Sequence, residues 1–195
     1  MGGVRRRGRT ATAIVSRNEV VALAAFAVLG FWMLGAHNRL VRLRQAIAAA
    51  FVLVDAQFRE RHAQLTELVE LTAAGLSDTP EAVQALEAAR MQTRIAADQA
   101  ALRPTSRGRL ASLVLAEQVL RTALSRLVTL AKARAGLSSD PRLREVLKRL
   151  STTQHRVSAA RDTFNTAVRD YNLGVRQFPT RLISGLFGFR AAGEL

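Results

Sequence analysis

Apolar residues along this chain recur every three or four positions, which predicts helices and leaves no room for the alternation of strands. The first run differs in kind. Val20 to Ala36 carries no charged or strongly polar side chain over 17 residues, at the short end of the ~17–25 residues that cross a bilayer. Beyond His37 the pattern turns amphipathic. Leu40, Leu43, Ile47, Phe51, Val54, Phe58, Leu65, Leu68 and Thr72 keep the helical period, with one step of the series skipped between Phe58 and Leu65. Nothing breaks the chain between the two runs, so a single helix is expected from Val20 to about Ala74, stopped by Gly75 as a left-handed C′ residue.

Three more helices follow. Asp78 and Glu81 form a capping-box pattern around Pro80, which opens a second helix reaching about Leu102. The stretch Arg103-Pro104-Thr105-Ser106-Arg107-Gly108 breaks it. A third carries Leu110, Leu113, Val114, Val119, Leu120, Leu124, Leu127 and Val128 and ends near Gly136, and Ser139-Asp140-Pro141 opens the fourth. In that last helix Leu143, Leu147, Leu150, Gln154, Val157, Arg161, Phe164, Val168, Tyr171 and Val175 alternate steps of four and three, a coiled-coil seam interrupted by Gln154 and Arg161. Each helix has one apolar face to hide, so the expected fold is all-α: a long antiparallel bundle of about four helices over residues 37–177, continuous with an N-terminal transmembrane helix over 20–36. Residues 1–19 form a basic tail and 178–195 an apolar one. In an antiparallel pair, the residue numbers facing each other on the first and fourth helices add to about 214, which sets Arg161 level with Asp55 and Asp170 level with Arg44. The first of these is expected as an ion pair, because a charge in a seam needs a partner, the alternative being that Arg161 snorkels outward unpaired.

Composition narrows the function. Hydrophobic residues make up 49% of the chain and aromatic ones only 5%, so the apolar mass is Ala, Leu and Val. With no cysteine there is no disulfide framework, thiolate metal site or Cys nucleophile. The formal charge of +14 invites a nucleic-acid reading. Its distribution argues otherwise: Arg5, Arg6, Arg7, Arg9 and Arg17 precede the apolar run, while later arginines alternate with acids and lack interleaved aromatics. The basic head reads as a topology signal. A cleaved signal peptide is disfavoured because Leu34 is too large for the −3 position of a cleavage site. Trp32 and Arg39 act as interface anchors, and the excess of arginines before the span keeps the N-terminus in the cytoplasm, with the bundle exported across the bacterial inner membrane.

Candidate chemistry is sparse. His62 and His155 fall at similar heights, but two imidazoles without a carboxylate make a poor metal site. No catalytic residues, metal or cofactor are expected, and no motif of nucleophilic or phosphate-cradling chemistry occurs. Asn165, Asp170, Tyr171 and Asn172 cluster on the last turns of the fourth helix. They are read as fixing that helix to the first one, Asp170 to Arg44 for instance, or else as a polar docking patch. After Pro179, the residues Leu182, Ile183, Leu186, Phe187 and Phe189 form an apolar surface too short to span, expected at the membrane surface with Arg181 and Arg190 reaching headgroups. The tail is also read as capping the open end of the bundle, which is compatible with a place at the membrane surface. The partners expected are the lipid bilayer and an unidentified protein or a second copy of the chain, without nucleic acid.

Two stretches carry a resemblance. AARDTFNTAVRDYNLGVRQFPTRLISGLFGF (Ala159–Phe189) resembles the C-terminal signature of the LemA family, and HNRLVRLRQAIAAAFVLVDAQFRERHAQLTELV (His37–Val69) resembles its first helix after the membrane. The likeness runs from His37 to Phe189, less closely through the middle. It implies an N-terminal membrane helix, a mostly helical bundle and no established biochemical activity. The family's motif positions correspond here to Asn38, Leu43, Arg44, Asp55, Arg61, Arg161, Asn165, Asp170, Tyr171, Asn172, Phe178, Pro179 and the run Gly185 to Phe189. Departures are visible: Ala63-Gln64-Leu65-Thr66 stands where the family has an Asp-Leu-Ile-Pro run, Gln154 stands for a glutamate and Phe51 for a tryptophan. Without that proline the first helix should run straight.

Overall fold

A computed structural model describes residues 17–177 and 188–195. The arginines before Arg17 and the tail positions Phe178, Pro179, Leu182, Leu186 and Phe187 lie outside the described residues. Among the described residues five helices follow one another: α1 (Arg17–Ala73), α2 (Pro80–Leu102), α3 (Arg107–Ala133), the single turn α4 (Ala135–Ser138) and α5 (Pro141–Arg176). No strand occurs among the described residues. The expected all-α antiparallel bundle is what forms, with α4 as a small addition at the corner before α5.

α1 is unbroken through the site of the missing proline, because nothing from Arg17 to Ala73 removes a backbone donor. Its first stretch is apolar and long enough to cross a membrane, and none of its residues is buried. The second stretch is a bundle helix whose buried face carries Leu40, Ile47, Phe51, Val54, Phe58, Leu65, Leu68 and Thr72. We call the end of the bundle where α1 extends outward the base, and the opposite end the tip.

α5 lies along α1, α2 along α1, and α3 along α2, whereas α3 and α5 scarcely approach each other. The bundle is therefore open along one seam. Height is as predicted: Phe51 meets Phe164, Arg61 meets Gln154, Gln64 meets Thr153 and Glu67 meets Arg149. Gly174 lets α5 close on α1 at the base, since a Cβ there would lie 2.9 Å from a Leu43 methyl.

Two turn expectations need correction. Gly75 is not a left-handed stop, since Gly188 is the only described glycine with positive φ. What requires glycine at 75 is the Leu137 side chain, which would sit 2.7 Å from a Cβ. Likewise α2 starts from Thr79 without a side-chain cap, while Asp78 turns to Arg134 across the tip. A capping carboxylate gives way there to a guanidinium of full opposite charge.

The core falls into two clusters. At the base, Leu40, Ile47, Phe51, Val54, Phe58, Leu110, Leu113, Phe164 and Tyr171 pack together. At the tip, Leu65, Leu68, Leu86, Leu120, Leu127, Leu143 and Leu150 form a second cluster with no aromatic member. Between them the bundle is polar inside.

Candidate functional site: a buried charged belt and a clasped tail

The belt arises because three apolar stripes skip a step at the same height. On α1 the missing step between Phe58 and Leu65 is Arg61; on α3 the step between Leu113 and Leu120 is Glu117; on α5 Gln154 and Arg161 interrupt the seam. Arg61 and Glu117 are each 6% exposed. Arg61 donates through Nη2 to Glu117 Oε1, and through Nη1 to Gln154 Oε1 at 3.3 Å. Arg161 donates to the other carboxylate oxygen, Oε2, at 2.9 Å. Both guanidinium carbons stand over the Phe58 ring, 5.0 and 5.6 Å from its centroid, so the ring's negative face adds to the compensation. Two cations share one anion, and the belt keeps a net positive charge. Burial, with repulsion from Arg61 and Arg121, pulls the Arg161 guanidinium below its ordinary pKa against the opposing pull of Glu117.

Gln64 extends the belt by donating to Thr153 Oγ1 at 2.9 Å, and Thr93 Oγ1 donates to Ala116 O across α2 and α3. Arg90 donates to His62 Nε2 at 3.0 Å, which requires a neutral ring because arginine has no acceptor. Burial, followed by Arg90 and Arg94, lowers the pKa of His62 in agreement.

The open seam between α3 and α5 forms a cavity of about 420 Å³ directly beside the belt. Leu120, Leu124 and Val128 wall it on α3, Leu147 and Leu150 on α5, and Arg61, Glu117 and Gln154 form its polar end. It is an apolar slot ending in a compensated but net-positive cluster, the usual build of a small binding cleft.

Toward the base the same seam is filled by the chain itself. Asn172 donates to Ala192 O at 3.2 Å and accepts from Ala192 N at 2.8 Å. Asn165 repeats the pattern on Leu195, donating at 2.9 Å and accepting at 2.8 Å. The two asparagines lie two helical turns apart, about 10.5 Å, which matches three extended residues at ~3.3 Å each. Gly193 sits against Arg107, where a Cβ would lie 3.0 Å from the Arg107 Cα. Phe189 stacks edge-on with His37 at 5.5 Å and, with Leu195, packs on the base cluster.

Several expected contacts are redistributed. Arg161 does not pair with Asp55: Asp55 takes Arg59 one turn away on α1, and Arg161 takes Glu117. The heights were right, but the direction around α5 was not, since Val157 and Phe164 are the buried neighbours of Arg161 and it points along the open seam. Asp170 and Arg44 form no ion pair, and both are exposed. Tyr171 is buried beside Arg44, and its pKa is raised by that burial although Arg44 opposes the shift. Asn165 and Asn172 hold the tail, not α1. Phe189, expected at the membrane surface or capping the open end of the bundle, packs on the base cluster. Asn38, Arg39 and Trp32 are exposed on α1. His62 and His155 form no metal cluster, and none of three or more ligands occurs among the described residues.

Glu117 and Arg61 were not singled out by sequence reasoning as a pair. The signal existed: Glu117 is the one carboxylate in α3, and it occupies that helix's apolar stripe.

Compared with models of protein families, residues 50–194 match the model described as LemA family. No curated protein matches the chain.

Proposed function

The chain belongs to the LemA family, and from that premise we propose that it is a non-catalytic scaffold of the bacterial cell envelope, tethered by one span and binding a partner through its bundle. The observation that carries this reading is the composition of α1. Val20, Val21, Leu23, Phe26, Val28, Leu29, Phe31 and Leu34 are all exposed, on the same unbroken helix whose later turns build the core. So much contiguous apolar surface is costly in water and favourable in lipid. Arginines before Val20 outnumber those shortly after Ala36, which supports a cytoplasmic N-terminus and an exported bundle. The polar side chains favour a structural role over chemistry: Glu117 is shared by two arginines, and His62 accepts from Arg90.

The α3–α5 slot is the surface we assign to the partner. A photoreactive residue in place of Leu124 should give crosslinked adducts in intact membranes, and one in place of exposed Ala111 should not. Equal adducts at both would remove the slot from the proposal. A cysteine at exposed Arg142 reports topology, since the chain has none of its own; labelling by an impermeant maleimide in whole spheroplasts is expected, and protection would reverse the orientation.

A second reading is a sensing subunit that passes ligand state through the membrane. It is favoured by Arg61, which lines the slot and lies on the same helix as the span, ~37 Å above Ala36 along the axis.

A further inference from the structure

A second cavity, of about 470 Å³, opens at the base, away from the slot. Arg44 of α1, Arg103 and Arg107 around the α2–α3 turn, and Arg190 of the tail all line it, with no carboxylate in its wall. None of the four guanidinium groups forms an ion pair or side-chain hydrogen bond among the described residues, whereas Arg61 and Arg161 of the belt and Arg134 and Arg149 toward the tip do form ion pairs. Four like charges converging on one hollow repel one another unless an anion is seated among them.

Two further features face the same hollow. α3 begins there, with Ser106 making no side-chain cap and no acidic residue in its first turn, so its first amides remain open to an acceptor. Tyr171 lines the floor, is 2% exposed, and forms no hydrogen bond among the described residues. Its hydroxyl is not sealed off from the hollow, so it can donate to an acceptor seated there.

The location narrows the anion. Phe189, in the cavity wall, stacks on His37, the residue next after the apolar run. The hollow therefore stands where α1 leaves the bilayer on the tethered reading above. We propose that it binds the phosphate group of an anionic phospholipid, with the four arginines as clamps, the α3 amides and Tyr171 hydroxyl as neutral donors, and the acyl chains left beside α1. Arginine suits the task because its fork meets two phosphate oxygens at once. The bundle is thereby fixed against the membrane surface rather than swinging on one helix.

The full chain, purified in neutral detergent, is titrated with short-chain phosphatidylglycerol, short-chain phosphatidylcholine and inorganic phosphate, and bound species are counted by native mass spectrometry. One phosphatidylglycerol is expected to bind at least tenfold more tightly than phosphatidylcholine. The double change Arg103→Ser with Arg107→Ser should weaken it roughly 25-fold, at about fivefold for each cation near a headgroup. Tyr171→Phe should weaken it about tenfold, the usual loss of a hydrogen bond to a charged group. Arg142→Ser with Arg144→Ser, at the tip, is the control and should change nothing. Equal binding of the two lipids, or an unchanged double variant that melts like the parent, overturns the proposal. Inorganic phosphate occupying the site as tightly as the lipid overturns the lipid as source. Carbonate washing of membranes tests the tether separately: both chains should stay in the pellet, and release of the parent would defeat the anchoring reading while leaving the lipid titration to decide this one.

Discussion

The two halves of the bundle solve the same packing problem with different materials. The tip buries leucines with a few alanines and valines, and carries two ion pairs between segments distant in sequence, Arg149 with Glu67 and Arg134 with Asp78. The base buries Phe51, Phe58, Phe164 and Tyr171, leaves Arg44, Arg103, Arg107 and Arg190 without counter-ions among the described residues, and borrows the tail to finish its core. Between them lies the Arg61–Glu117–Arg161 belt. The tip half supplies the leucine walls of the slot, whereas the base carries the arginine-lined hollow and the clasped tail. A buried belt of this kind does not maximise stability; its position at the mouth of the slot is a reason to keep it.

The contrast can be tested at three strengths. Glu117→Ala should have the largest effect, because it strands Arg61 in the interior without a counter-charge, a loss of about 3–5 kcal/mol. Thermal melting of the full chain followed by circular dichroism reads it; a change no greater than at an exposed glutamate would mean that water reaches the belt and the two clusters are one core. Next come Asn165→Ala and Asn172→Ala, each removing two hydrogen bonds to the tail. Together they should destabilise the clasp by about 1–3 kcal/mol, so that exchange of the Ala192 and Leu195 amides speeds roughly tenfold or more. Amides at the tip should keep their rates, and acceleration there too would erase the division into halves. Smallest is Arg149→Ala, an exposed pair whose loss should cost below ~1 kcal/mol. A larger loss would show that the tip depends on its surface pairs and not on its leucines.

Periodicity alone was enough for the helices, their order and the heights at which α1 and α5 meet, because those depend on chain distance and an antiparallel return. It was not enough for the lateral arrangement. The level rule places Arg161 beside Asp55, yet height says nothing about angle, and the side chain turns toward α3 and Glu117. The interruptions in the stripes at Arg61, Glu117 and Arg161 were readable one by one. That they meet follows only once the open seam is known. Asn165 and Asn172 illustrate the same limit: identical amides seven residues apart mark a face, but their partner is backbone twenty positions further on in one case and thirty in the other, and backbone has no side-chain signature.

The unbroken α1 also acts as a spacer of fixed height. At 1.5 Å per residue its 57 residues measure ~85 Å, and the tip at Ala73 stands ~55 Å beyond Ala36. With the apolar run seated in a bilayer, a companion hugging the lipid meets only the arginine-rich base, and one that touches the leucine-rich tip must itself project comparably far. Vertical reach therefore sorts the encounters available to this molecule before any side chain is compared.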